Sequence, residues 1–374
     1  MLEEEKQLQH RTSGVRLFEL DALRGIAAVT VILHHFRLAF TIALPAWYLV
    51  PLFAGSQAVD LFFVLSGFVL SMPFWIGRNA HYQEYLLRRV CRIYLPFAAA
   101  ATLSIAGDLV FRGKQLPLSE WFFNTWQAPI TGHILLKQYL MFPISEFNTA
   151  FWSLGFEMQM SILMPLLILL LVRLRPIPAT LLLIVLSFFS LEYFHALSGY
   201  QLVSLRIASL FALGATLARY RRPMSEWSRN RPGLLWLTLI LGFLLYINLP
   251  EVFWRGHAHY RTILTLYDLV SGLGSAAMIA AALNLPPFTR LLRHAALEYC
   301  GRISYSLYLT HSIVLFTLLD TLYGKLPVPV LAILFVLLSW LAAHLFCVFV
   351  EEPSIRLGKR FQGRWHHRTV TRAA

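Results

Sequence analysis

"LRGIAAVTVILHHF", residues 23–36, decides the class of this chain. It is an apolar run that carries one arginine, Arg24, and two histidines, His34 and His35. The run extends on both sides to about residues 17–43, and about 20 apolar residues in a helix are enough to cross the hydrocarbon core of a bilayer. The preceding "MLEEEKQLQHRTSGVR" is polar, without the basic n-region and small-residue cleavage site of a signal peptide. Residue 17 onward therefore reads as a retained first membrane span. A simple anchor has no use for buried ionisable groups, which are costly in lipid and mark function.

The whole chain follows the same pattern. Of 374 residues, 57% are hydrophobic and 14% charged, with a mean hydropathy of +0.61. This is the composition of an all-α polytopic membrane protein, with no stretch left over for a separate soluble core. Ten spans are expected, near 17–43, 55–76, 93–111, 151–172, 177–194, 201–218, 233–250, 262–285, 303–323 and 328–350. The fold class is a bundle of about ten transmembrane helices occupying residues 1–352, with a basic cytoplasmic tail, 353–374, lying disordered against anionic headgroups.

A formal net charge of +13 raises the possibility of nucleic acid. Sorting the charges removes it. With the N-terminus inside, 23 of the 32 Lys and Arg fall on inner segments and six on outer ones, while Arg24, Arg37 and Arg206 lie within spans. That bias is topogenic and sets an N-in, C-in orientation. The three cysteines, Cys91, Cys300 and Cys347, fall near inner helix ends and read as structural. The longest outer loop, about 112–150, carries Trp121, Phe122, Phe123, Trp126, Tyr139 and Phe142. These read as an interfacial aromatic belt, with a sugar-stacking surface as the alternative.

Depth within the membrane sorts the ionisable residues. At a rise of about 1.5 Å per residue, His35 lies in the outer half of span one, roughly 16 Å beyond Arg24. Asp60 lies near the outer end of span two, Glu157 about two turns into span four, and His311 near mid-depth in span nine. Two carboxylates and two histidines from four helices thus share a depth, where each must face protein or a wet cavity. His34 points about 100° away from His35. At the inner face, Arg89 and Arg92 in "YLLRRVCRIYLP" are i, i+3 on one helix face beside Arg24. Guanidinium groups suit phosphate, although arginines at an inner helix end are commonly topogenic.

Lesser signals have structural readings. Gly67 and Gly155 allow close helix approach. Ser66 hydrogen-bonds along its own helix, and His344 is a packing residue. His257 and His259 have the spacing of a metal pair but lack a third ligand, so no metal is expected.

Six motifs taken together carry a resemblance: "LDALRGIAAVTVILHH", "VDLFFVLSGFVLS", "RRVCRIYLP", "FWSLGFEMQ", "GRISYSLYLTH" and "VEEPSIRLGKR". In this order the chain resembles the acyltransferase 3 family of integral membrane acyltransferases, which includes bacterial O-antigen and exopolysaccharide O-acetylases. The resemblance implies that His35 stands at the family's essential histidine, with Arg24 paired to it by spacing. Arg89 and Arg92 would handle an acyl-CoA donor, in the commonest case acetyl-CoA. Glu157 and His311 match the family's glutamate and late histidine. "GFEMQM" lacks the usual acidic or aromatic residues after the glutamate, a departure expected to affect substrate choice. With no hydrolase-like domain after span ten, the chain resembles stand-alone members, which pass the acyl group directly to a hydroxyl.

The expected site is therefore His35, Asp60, Glu157, His311 and Tyr308 for the chemistry, and Arg24, Arg89 and Arg92 for the donor. His35 acts as general base and Asp60 or Glu157 fixes its tautomer. His311 or Tyr308 donates to the tetrahedral intermediate. The expected acceptor is a glycan or small-molecule hydroxyl arriving from outside, and the resemblance implies a bacterial inner membrane. The competing class is a transporter with an intramembrane His/carboxylate proton relay, against which no inverted repeat or paired broken helices are found.

Overall fold

The computed structural model describes residues 17–40, 47–76, 82–112, 116–126, 129–193, 199–247 and 260–361. Within them the chain is helical throughout and forms no β-strand. In chain order the helices are α1 (Phe18–Phe40), α2 (Gly55–Trp75), α3 (Tyr82–Phe111), α4 (Glu120–Phe123), α5 (Gly132–Tyr139), α6 (Phe151–Leu174), α7 (Pro176–Tyr193) and α8 (Gly199–Ser228). They continue with α9 (Pro232–Ile247), α10 (Tyr260–Asn284), α11 (Pro286–Leu292), α12 (Ala295–Leu322) and α13 (Val328–Phe361). A helix stands at each expected span. Seven are long and apolar enough to cross a membrane: α1, α2, α3, α6, α12, α13 and the Leu266–Asn284 part of α10. Apolar segments at Pro176–Phe189 and Pro232–Ile247 are shorter.

Glycines set the closest crossings. A Cβ on Gly25 of α1 would lie 2.6 Å from the backbone nitrogen of Gly301 on α12. One on Gly301 would lie 2.3 Å from the carbonyl of Asp21. No larger residue fits such a backbone-to-backbone contact, the usual role of small residues between membrane helices. This crossing also fixes the register that matters most. His35 is ten residues beyond Gly25, and His311 is ten beyond Gly301. Two parallel helices meeting at one pair of glycines climb together, about 15 Å over ten residues, and deliver the two histidines to one level.

Gly67 behaves as expected, its absent Cβ leaving room for the backbone of Phe211 on α8. Gly155 makes room for the 141–143 turn and not for a helix. Two helices each contain a π-helical turn, Val90–Tyr94 in α3 and Cys347–Glu351 in α13. A proline follows two residues after each, Pro96 and Pro353. Proline supplies no N–H and its ring clashes with the carbonyl four residues back; the wider π turn relieves both defects.

Two expectations change. The segment 353–374 is expected to be a disordered tail, yet α13 runs on through Phe361. Residues 362–374 lie outside the described residues, as do His257 and His259. In the outer loop, Phe122 and Trp126 are not a lipid-facing belt. Both are buried, with rings 4.9 and 5.3 Å from that of Phe316 on α12, while Phe123 and Phe142 stay exposed.

Candidate active site

α1 and α12 present His35 and His311 to one another. Nδ1 of His35 lies 2.8 Å from Nε2 of His311, with the rings stacked 5.0 Å apart. His311 Nδ1 lies 3.0 Å from the carbonyl oxygen of Leu307. A carbonyl only accepts, so His311 Nδ1 carries a hydrogen and, in the neutral ring, Nε2 carries the lone pair. His35 Nδ1–H therefore donates to His311, and the lone pair of His35 resides on Nε2. His35 Nε2 has no hydrogen-bond partner among the described residues. The pair is a histidine dyad with one free base.

The surroundings hold the dyad in place. His311 is fully buried. Ser312 Oγ lies 3.3 Å from His311 Nε2 and 2.9 Å from Thr149 Oγ1. Asn148 donates to the carbonyl of Leu309 at 3.1 Å, which ties the start of α6 to α12. Trp121 lies over His35, ring centroids 5.2 Å apart. Its short helix is capped by Ser119, whose own amide donates to the carbonyl of Ala39 on α1 at 3.0 Å. His34 faces elsewhere: its Nδ1 is 2.7 Å from the carbonyl of Phe53 and holds the turn leading into α2.

A cavity of about 730 Å³ lies on the Arg24 side of the dyad. Arg24, Arg88, Arg89, Arg92, Arg302 and Lys359 line it, against the carboxylates of Asp21, Glu157, Glu351 and Glu352. Several charges are already paired. Arg24 reaches Asp21 at 3.4 Å, Arg302 bonds Glu352, and Ser306 donates to Glu351 at 2.5 Å. Among the described residues no carboxylate stands within ion-pair distance of Arg88, Arg89 or Arg92, and Nε of Arg89 is buried without a partner. Such guanidinium groups suit an anionic ligand with several oxygens. Both π turns border this cavity, and Arg92, Cys347 and Glu351 belong to them.

The four residues expected to share a depth do not form one cluster. Only His35 and His311 meet. Glu157 lines the arginine cavity and accepts from Ser66 at 3.2 Å, so Ser66 bonds across helices and not along its own. Asp60 stands in another place, accepting from Ser271 of α10 at 2.7 Å, close to the Arg206–Asp268 ion pair between α8 and α10. Neither carboxylate orients His35; the partner is His311. Tyr308, one turn before His311 on α12, lines the cavity and lies 5.9 Å, ring to ring, from His311. Ser153, unremarked in the sequence, joins it through a 2.7 Å hydroxyl contact.

Residues 17–345 match the family model described as an acyltransferase domain of the acyltransferase 3 type. The chain belongs to the acyltransferase 3 family. Among its relatives in the family is O-acetyltransferase OatA of Staphylococcus aureus strain COL, 25% identical over 94% of this chain and 59% of the relative. Another is the putative O-acetyltransferase SACOL0978 of the same strain, 26% identical over 89% of this chain and 56% of the relative. The chain thus spans less than two thirds of the length of these relatives. No solved structure matches it. Family membership and seven apolar helices make the protein an integral membrane protein.

Proposed function

We propose that the protein is a membrane O-acyltransferase. It moves an acyl group, acetyl by default, from cytoplasmic acyl-CoA to a hydroxyl of a glycan or other acceptor on the opposite side of a bacterial inner membrane. The observation that carries this reading is the juxtaposition of a histidine dyad with one free base and an arginine-lined cavity on its inner side. Family membership and relatives named O-acetyltransferases support it and weigh against the proton-relay transporter.

The donor's phosphates are anionic and suit Arg88, Arg89 and Arg92, while its long thin arm suits a cavity that also reaches Tyr308. A hydroxyl attacks a thioester only when a base takes its proton during attack. His35 Nε2 is that base. As it gains the proton, His35 Nδ1–H keeps donating to His311, which spreads the new charge over two imidazoles without a buried carboxylate. The intermediate's oxyanion needs a donor. His311 is excluded, because Leu307 takes its Nδ1–H and its Nε2 is an acceptor. Tyr308 has a hydroxyl at the edge of the cavity and fills this role.

Ten spans with both termini inside fit the helix directions. α1 and α12 run parallel, whereas α8 runs antiparallel to α7, with Thr216 on Thr180 and Leu205 on Ser187. The test is transfer of label from acetyl-CoA into surface glycan or small-molecule pools by cells or membranes. His35→Ala lowers transfer by about 10²–10⁴-fold at equal protein, the usual worth of a general base. Near-wild-type transfer by that variant contradicts the assignment.

A further inference from the structure

The arginine cavity ends short of the histidines. Phe62, Ser153 and Tyr308 line it, whereas neither His35 nor His311 does. Tyr308 is 5% exposed and His311, one turn on, 0%. The end wall consists of a ring pair and a hydrogen bond. Phe62 meets Tyr308 edge-on at 5.5 Å between centroids. Ser153 Oγ donates to the carbonyl of Ala150 at 3.0 Å, which uses its one hydrogen. In the 2.7 Å contact with Ser153, Tyr308 is therefore the donor. Tyr308 thus lines the cavity and has its ring 5.9 Å from that of His311.

We infer that Tyr308, braced by Phe62 and latched to Ser153, is a partition between the donor cavity and the dyad, opened when a thioester carbonyl replaces Ser153 as acceptor of the Tyr308 O–H. The inference rests on the reading of the cavity as the acyl-CoA site. Its rationale is chemical. A thioester left beside a general base and water is hydrolysed, and closing the site prevents that side reaction. Exchanging one neutral acceptor for another costs little. The bond then strengthens as the carbonyl oxygen becomes an oxyanion. In the transfer the acceptor's O–C bond forms and the C–S bond breaks. The hydroxyl proton passes to His35 Nε2 and on to the leaving thiolate, giving ester and free CoA thiol. Because the acyl group must displace the ring, the partition also disfavours bulky acyl groups.

The experiment is hydrolysis of labelled acetyl-CoA without acceptor, in proteoliposomes of the full chain, together with binding of the same donor. Phe62→Ala raises hydrolysis by roughly tenfold or more, because the brace is lost and water reaches the thioester beside the base while Tyr308 still holds the oxyanion. Adding His35→Ala abolishes that rise. Tyr308→Phe loses the latch and the oxyanion donor together, so it keeps donor binding but transfers more slowly. Phe62→Ala removes no polar group; should it fail to fold, Phe62→Val, which also shortens the brace, takes its place. A Phe62 variant that binds acetyl-CoA yet hydrolyses it at the wild-type rate overturns the partition, and so does a leak that survives His35→Ala. Wild-type protein that neither binds nor consumes acetyl-CoA overturns the donor reading, and the partition with it.

Discussion

His311 has its two ring nitrogens committed, one to the Leu307 carbonyl and one to His35, and this makes it a positioning residue, not a second base. Its contribution is an acceptor at a fixed place, which a shorter apolar side chain lacks. His311→Leu is expected to lower acyl transfer roughly tenfold to a hundredfold, less than His35→Ala, by freeing the tautomer and orientation of the base. His311→Gln, which retains an amide oxygen that can accept, recovers part of the loss. Equal activity of the leucine and glutamine variants, measured as kcat with donor and acceptor saturating, contradicts the tautomer argument. At this scale the sequence names the ionisable residues but not their neighbours. Counting residues from the span ends placed His35, Asp60, Glu157 and His311 at similar levels. It could not tell that Asp60 faces Ser271 on α10, or that Glu157 faces the arginines. Azimuth depends on which helices become neighbours, and that information lies in crossings between segments far apart in sequence.

Helices carry the second level of the account. The dyad exists because α1 and α12 cross at Gly25 and Gly301, with ten residues from each glycine to its histidine. Gly301→Ala places a methyl group within 2.3 Å of the Asp21 carbonyl and forces the helices apart. The expected cost is about 1–3 kcal/mol of stability, as for other overpacked contacts, seen as a lower Tm in detergent, with reduced transfer in the surviving protein. Gly233→Ala, where nothing lies within 4 Å, leaves the Tm unchanged. Equal Tm values for the two variants contradict the crossing as described. The π turns were legible in principle. Both precede a proline by two residues, and "RIYLP" and "FVEEP" can be searched for in any sequence. What the text alone lacks is the choice between a kink, a break and a widened turn, which packing decides. The outer loop was misread for a related reason: aromatic residues suit the membrane interface and suit burial equally, and Phe316 on a distant helix settles the matter.

At the scale of the whole molecule, the parts lie in sequence along the bundle: arginine cavity, tyrosine wall, histidine dyad, and Trp121 over His35. Composition was enough to read a membrane bundle, because hydropathy acts locally along the chain, and the Lys/Arg asymmetry carries the expectation of its sidedness. The cavity was only half visible. Arg24, Arg89 and Arg92 were chosen from motifs, whereas Arg302, Lys359, Glu351 and Glu352 enter from α12 and α13. The central claim is that donor and acceptor approach the dyad from opposite faces. It is tested most directly in sealed, oriented vesicles, with labelled acetyl-CoA supplied to one face at a time and acceptor confined to the other. The account predicts His35-dependent ester formation only when acetyl-CoA is on the face bearing the basic segments and acceptor on the far face. Equal transfer with donor and acceptor both confined to the basic face contradicts it.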